Sequence, residues 1–177
     1  MAIIVEIGTG ALNSEVLCSV AYADTYHADR GNVAWAVLAV LDKETALRRG
    51  YAYLQQQYRL RWAGFRVSQV QALDWPRQQV PRTDVYSGYG GNLGGWSAYY
   101  PYAVIPVEVM QAQAELALKA VAGDLLPDLD APVASEQVGP IAVTYFKGDT
   151  KVKNYPAVDR MLAPFLKGRM GIKMVRG

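Results

Sequence analysis

The chain holds very few of the residues that build reactive centres. Cys18 is its only cysteine and His27 its only histidine. One cysteine excludes an intrachain disulfide and a thiolate zinc cluster. One histidine excludes a multi-histidine metal site and leaves His27 as the sole imidazole open to a Ser-His-Asp or Cys-His arrangement. Charge is scarce as well: 19% of residues are charged, against about 25% in typical soluble domains. The longest apolar run, Val33 to Leu41, is about half a membrane span. Met1 to Leu12 contains no Lys or Arg, so the basic flank of a signal peptide is missing. These absences point to a soluble chain made in the cytoplasm, with no membrane partner.

What is present is apolar surface. Hydrophobic residues make up 51% of 177 positions, which excludes a disordered chain and suits one domain able to bury roughly 70% of its unfolded surface. With so little charge, more of that surface is available to partners than a solitary globule needs. The net charge of +2 hides an uneven distribution. Residues 147–177 carry eight basic and two acidic side chains, net +6, while residues 1–146 carry ten basic and fourteen acidic ones, net −4. A basic terminal segment favours an anionic partner or simply keeps the chain soluble.

The pattern along the chain is mainly helical. Ile3–Ile7 and Glu15–Cys18 are β-prone and read as an arm or edge strands. Ser19 fits a helix N-cap and Gly31 the position past that helix's end. The apolar stretch Asn32–Leu41 reads as a short helix or turn. Asp42 is expected to cap a helix running to about Arg59, with Leu47, Tyr51, Leu54 and Tyr58 as its buried stripe. Residues 60–85 show little periodicity. Residues 86–102 hold five of the 12 tyrosines together with five glycines, a mixture suited to an adaptable contact surface or to base stacking. Pro106 and Glu108 open another helix, ended by Gly123, with Val107, Met110, Ala114, Ala117 and Val121 as its stripe, widened by Leu116 and Leu118 so that most sides are buried. Glu115 is expected to face solvent beside Gln111 or, if buried, to pair with an arginine. Val138 and Ile141–Tyr145 read as a hairpin. Pro156 starts a last helix, with Val158, Met161, Leu162 and Phe165 on one side and Pro164 ending it. The expected fold is a small, mainly α helical bundle with a minor β-hairpin and extended terminal arms: residues 1–18 as the N-terminal arm, 19–166 as the domain with the loop 86–102, and 167–177 as the basic tail.

Chemical motifs are lacking. No GxxxxGK[ST], HExxH, GxSxG or GxGxxG occurs. Gly88–Gly95 is glycine-rich but follows no convincing strand and opens no helix. Asp24 and His27 are neighbours on a helix and read as a surface ion pair, and Cys18 reads as a small hydrophobe. No two acid/base groups converge at an interpretable spacing, so no catalytic residue, cofactor or metal is expected.

Several blocks carry a family resemblance. They are Ser19–Gly31, Ala46–Leu54, Gln71-Ala-Leu-Asp-Trp-Pro-Arg77, Ile105-Pro-Val-Glu108 leading into Ala114–Ala117, and Val138–Tyr145. Taken in order, across about residues 13–166, they resemble the head–tail adaptor family of tailed phages, which also goes under the label DnaT-like single-stranded-DNA-binding. The resemblance implies a structural protein of the virion neck. It would form a homo-oligomeric ring, a dodecamer in that family, between the portal protein and a tail-side stopper or terminator protein. Genomic DNA would pass through its channel without sequence-specific binding. Gln71, Leu73, Trp75, Pro76 and Arg77 would serve as a structural bracket, with Trp75 packed on the bundle and Pro76 setting the exit. Subunit or partner contacts are expected at Tyr86, Tyr89, Trp96, Tyr99, Tyr100, Lys167, Arg169, Lys173 and Arg176. The loop 86–102 departs from the family pattern by its length. Two rival readings are a single-stranded nucleic-acid binder, using tail cations and loop tyrosines, and a small hydrolase built on His27.

Overall fold

The computed structural model describes residues 2–82, 99–127 and 153–167, together with the backbone of 135–138 and 141–144. Among these residues the chain is mostly helical. In order it forms α1 (Val20–Ala28), α2 (Val33–Ala36), α3 (Val40–Tyr58), β1 (Phe65–Arg66), β2 (Arg77–Gln78), α4 (Val107–Val121), β3 (Ser135–Val138), β4 (Ile141–Thr144) and α5 (Pro156–Leu162), which tightens into a 3₁₀ turn at Ala163–Phe165. The strands make two antiparallel pairs, β1 with β2 and β3 with β4. In the second, Ser135 lies opposite Thr144 and Val138 opposite Ile141, the hairpin that the alternating sequence there calls for.

Local rules explain most boundaries. The Ser19 side chain accepts from Tyr22 N–H at 3.1 Å, capping α1. Beyond its far end Gly31 takes φ +66°, and Asn32 N–H returns to the His27 carbonyl at 3.0 Å. The expectation of a cap at Asp42 fails. The cap lies three residues earlier, at an extended Ala39, and Asp42 sits in the first turn of α3, where a carboxylate favours the positive helix end without capping it. Pro106 occupies the cap position of α4, one residue before the helical turn expected for it.

α3 and α4 form the centre of the bundle and run side by side in the same direction. Gln113 Nε2 donates to the Leu47 carbonyl at 3.0 Å, and Arg49 Nη1 to the Ala120 carbonyl at 3.1 Å. Gly50 permits the close approach, since a Cβ there would lie 2.9 Å from Ala117 N and 3.0 Å from the Gln113 carbonyl oxygen. The α3 stripe is as expected: Leu47, Tyr51, Leu54 and Tyr58 are all buried. The α4 stripe is as expected in its middle and not at its ends. Ala114, Leu116 and Ala117 are buried, and Val109, Ala112, Gln113 and Ala120 join them, while Val107 and Val121 are exposed. Val109 and Leu116 set the phase because they are the large side chains that fit the α3 groove, whereas alanines pack on any side.

Two apolar clusters flank this pair. One gathers Tyr58, Trp62, Trp75, Phe165, Leu54, Leu116 and Leu162, with Trp75 edge-on to both Trp62 and Phe165 at 5.7 and 5.8 Å between ring centres. The other joins Val16, Cys18, Ala23, Tyr26, Trp35 and Leu47 to Ala114 and Ala117. The N-terminal segment does not extend as an arm but folds back on itself, with Val5 bridged to Val16, and its second half is core: Val16, Leu17 and Cys18 are buried. Glu6 anchors the turn before them. Its carboxylate accepts from the backbone N–H of Gly8, Thr9, Gly10 and Ala11 at 2.7–2.9 Å and from Ser14 Oγ at 2.9 Å.

Candidate subunit and partner interface

The block Gln71–Arg77 has no helical or strand periodicity because side chains hold it together until Arg77 enters β2 opposite Arg66. Gln71 accepts from Ser68 N–H at 2.9 Å and donates to the carbonyls of Leu73 and Pro76 at 2.8 and 3.1 Å. Arg77 spreads its guanidinium over the carbonyls of Ala63, Asp74 and Gly64 at 2.8–3.1 Å. Leu73 and Trp75 are buried, and the Trp75–Pro76 peptide is cis. The Tyr51 hydroxyl on α3 accepts from Asp74 N–H at 2.7 Å. These residues therefore face inward and tie the β1–β2 region to the bundle. Burial pushes the Asp74 carboxyl upward, and the nearby guanidiniums of Arg59, Arg77 and Arg66 draw it back.

Of the residues expected at contacts, Tyr99, Tyr100 and Lys167 fall among the described residues. Tyr99 is exposed and bridges to Pro81. Tyr100 is half-buried: its N–H donates to the Val80 carbonyl at 2.9 Å, and its ring lies 5.1 Å from that of Phe165. Tyr100 thus anchors one end of the 86–102 segment to the Trp75 cluster, while Tyr99 faces outward. Lys167 N–H donates to the Arg61 carbonyl at 2.7 Å, and its Nζ reaches the Leu60 carbonyl at 3.3 Å. Tyr86, Tyr89, Trp96, Arg169, Lys173 and Arg176 lie outside the described residues.

The titratable groups are committed to the fold. The expected surface pair of Asp24 with His27 does not form, because His27 is buried. Its Nε2–H donates to the Ala114 carbonyl at 3.1 Å, which leaves Nδ1 to accept from the Asn32 amide at 3.0 Å. Burial lowers the His27 pKa, against the opposing effects of the Ala114 carbonyl and Glu115. Asp24 instead accepts from Trp35 Nε1 at 2.7 Å and pairs with Lys43 at 3.0 Å. Glu115 does not face open solvent: it is half-buried and accepts from the Tyr26 hydroxyl at 3.0 Å. Burial, then Glu115, pushes that hydroxyl up to about 12. Cys18 is buried and its thiol is pushed up to about 12 by desolvation, the state of an inert core thiol. A depression of about 170 Å³ lined by Arg49, Tyr53, Gln56, Asp124 and Leu125 is smaller than the ~300 Å³ at which small-molecule sites begin.

Sequence reasoning missed Gln113, which is fully buried. Its Oε1 accepts from Leu17 and Cys18 N–H at 2.9 and 3.2 Å while its amide binds the Leu47 carbonyl, so one side chain joins the N-terminal segment, α3 and α4. The available signal was a glutamine in phase with Val109, Leu116 and Ala120. The described surface carries many large apolar side chains. Ile7, Leu12, Val33, Val37, Val40, Leu41, Leu60, Phe65 and Val70 are all exposed.

The sequence model of the family described as "Putative DnaT-like ssDNA binding protein" matches residues 1–177. The chain belongs to this family. No curated protein and no solved structure matches it. In this DnaT-like chain, the described aromatic rings serve mainly as core: Tyr26, Trp35, Tyr51, Tyr53, Tyr58, Trp62 and Trp75 are buried. Many of its cations are occupied. Lys43, Arg48, Arg49, Arg59 and Arg61 pair with Asp24, Glu15, Asp124, Asp74 and Asp159. Among the described residues no helix is long and apolar enough to cross a membrane.

Proposed function

We propose that this DnaT-like protein is a structural head–tail adaptor of a tailed phage, a ring subunit that joins the portal to tail-side neck proteins around the DNA channel. The observation that carries this reading is the set of large apolar side chains exposed on the described surface. Exposed valines and leucines cost free energy in a monomer, about 25 cal/mol for each Å² that could be buried. A ring subunit covers such surface with its neighbours, and each contact joins two different patches. The inward-facing Gln71–Arg77 bracket fits a rigid block, and the ordered block resemblance to phage adaptors supplies the partners.

Electron micrographs of the purified protein, alone and mixed with portal assemblies, test the proposal. Rings that add to the portal are expected. A monomer indifferent to portal would contradict it.

The family description favours a second reading, single-stranded DNA binding, with the basic residues of 147–177 as its electrostatic source. Binding of that kind weakens steeply with salt, by roughly 10³-fold or more between 50 and 200 mM when several phosphates are contacted. Fluorescence anisotropy of a labelled oligonucleotide across that range separates the two. Tight, salt-sensitive binding by the isolated monomer would favour the second.

A further inference from the structure

Residues 33–41 are apolar at every position, yet among them only Trp35 is buried and only Leu38 half-buried. Trp35 accounts for the path of the segment, because its indole N–H bonds Asp24 and its ring lies 4.7 Å from that of His27. It does not account for Val33, Val37, Val40 and Leu41, which are 61–76% exposed. Contiguous exposed apolar surface of this kind marks a contact site. The surroundings are acidic. Asp24, Asp29, Asp42 and Glu44 stand against Arg30 and Lys43, net −2. Both cations are engaged, Lys43 with Asp24 and Arg30 over the Tyr26 ring at 3.6 Å.

A second apolar surface begins where α3 ends. Leu60, Phe65 and Val70 are 64–86% exposed. Here the surroundings are basic. Arg59, Arg61, Arg66 and Lys167 outnumber the buried Asp74 and the half-buried Asp159, net +2. The 19 residues of α3 separate the two surfaces by about 27 Å along a single helix. A contact of either surface with its own copy would set acid on acid or base on base. Opposite charge with shared apolar character instead matches one surface to the other, in the head-to-tail manner.

We infer that Val37, Val40 and Leu41, at the start of α3 in one copy, dock on Leu60, Phe65 and Val70, after the end of α3 in a second copy. This is the subunit contact of the ring, and it rests on the adaptor reading above. The two surfaces lie on different parts of each copy, so every subunit uses both.

Blocking each surface separately tests this. Val37→Asp and Leu60→Asp change exposed positions, and circular dichroism checks that both variants keep the wild-type fold. Sedimentation velocity should show each variant alone failing to assemble, its association weakened roughly tenfold or more. An equimolar mixture should form one-to-one pairs and stop there, since each variant retains the surface that the other needs. A charge-only pair, Asp42→Lys and Arg61→Glu, should each weaken assembly roughly two- to fivefold and recover on mixing. If the wild type assembles and either aspartate variant assembles equally well, or if the aspartate mixture forms no pairs, this contact is wrong while the adaptor reading stands. A wild type that stays monomeric at every concentration overturns this contact, and the adaptor reading falls with it if that monomer also ignores portal assemblies.

Discussion

Replacing Glu6 by glutamine probes how the N-terminal segment is held. The Glu6 carboxylate collects four backbone N–H groups and the Ser14 hydroxyl within 3.0 Å. An amide keeps one oxygen, and that oxygen can serve Gly8, Thr9 and Gly10. Its NH₂ then points at Ala11 N–H, donor against donor, while the Ser14 hydroxyl can turn and accept. The variant thus orphans one buried donor, at about 1–3 kcal/mol, and weakens the remaining bonds by removing the charge. We expect a loss of about 3 kcal/mol, or roughly 6–12 °C in Tm for a chain of this length. The pH dependence gives a second reading. Burial alone would raise the Glu6 pKa, but the bonds from Ala11, Gly10, Ser14 and Gly8 outweigh it and hold the pKa below the ordinary glutamate value. A depressed folded-state pKa gives stability that is fully present above the unfolded pKa and is lost as pH falls through the folded one. The gap between wild type and variant should therefore hold from pH 7 to about 5 and close below about 4. Urea unfolding followed by circular dichroism at several pH values measures it. A gap under ~0.5 kcal/mol, or one unchanged down to pH 3, would refute the carboxylate's role.

Three further substitutions test the rest of the scaffold. Gln113→Met fills the same space but leaves Leu17 and Cys18 N–H without an acceptor, and urea unfolding should show a loss of about 3 kcal/mol. Arg77→Lys keeps the charge but loses the planar fork over three carbonyls. It should cost about 2 kcal/mol and speed amide exchange at Phe65 and Arg66, measured by hydrogen exchange. Gly50→Ala raises helix propensity, by about 1 kcal/mol, yet puts a methyl 2.9 Å from Ala117 N. A net drop of about 1–2 kcal/mol in thermal unfolding is expected, and a stabilised variant would contradict the close α3–α4 packing.

How legible each element was depended on the size of its side chains. α3 could be read because Leu47, Tyr51, Leu54 and Tyr58 are large and stand on one side. α4 was read only in its middle, at Ala114, Leu116 and Ala117, because alanines contribute little to the pattern and Val107 and Val121, at its ends, are exposed. His27 looked like a surface group because its partners, the Ala114 carbonyl and Asn32, are invisible in a local pattern. The block around Trp75 stood out as a motif, but its inward orientation follows from bonds to Ala63 and Gly64, more than ten residues earlier. At the interface, the low charge content pointed to covered surface without locating it. The apolar run 33–41 was visible, but an apolar run normally signals core. Only the fold reveals that Trp35 is the sole fully buried side chain in it.

Native mass spectrometry of the wild-type protein over a concentration series tests the central claim most directly. The account predicts one closed assembly, a fixed whole-number multiple of the 19.4 kDa chain that keeps its stoichiometry as concentration rises. A chain that remains monomeric throughout and binds an oligonucleotide would contradict it.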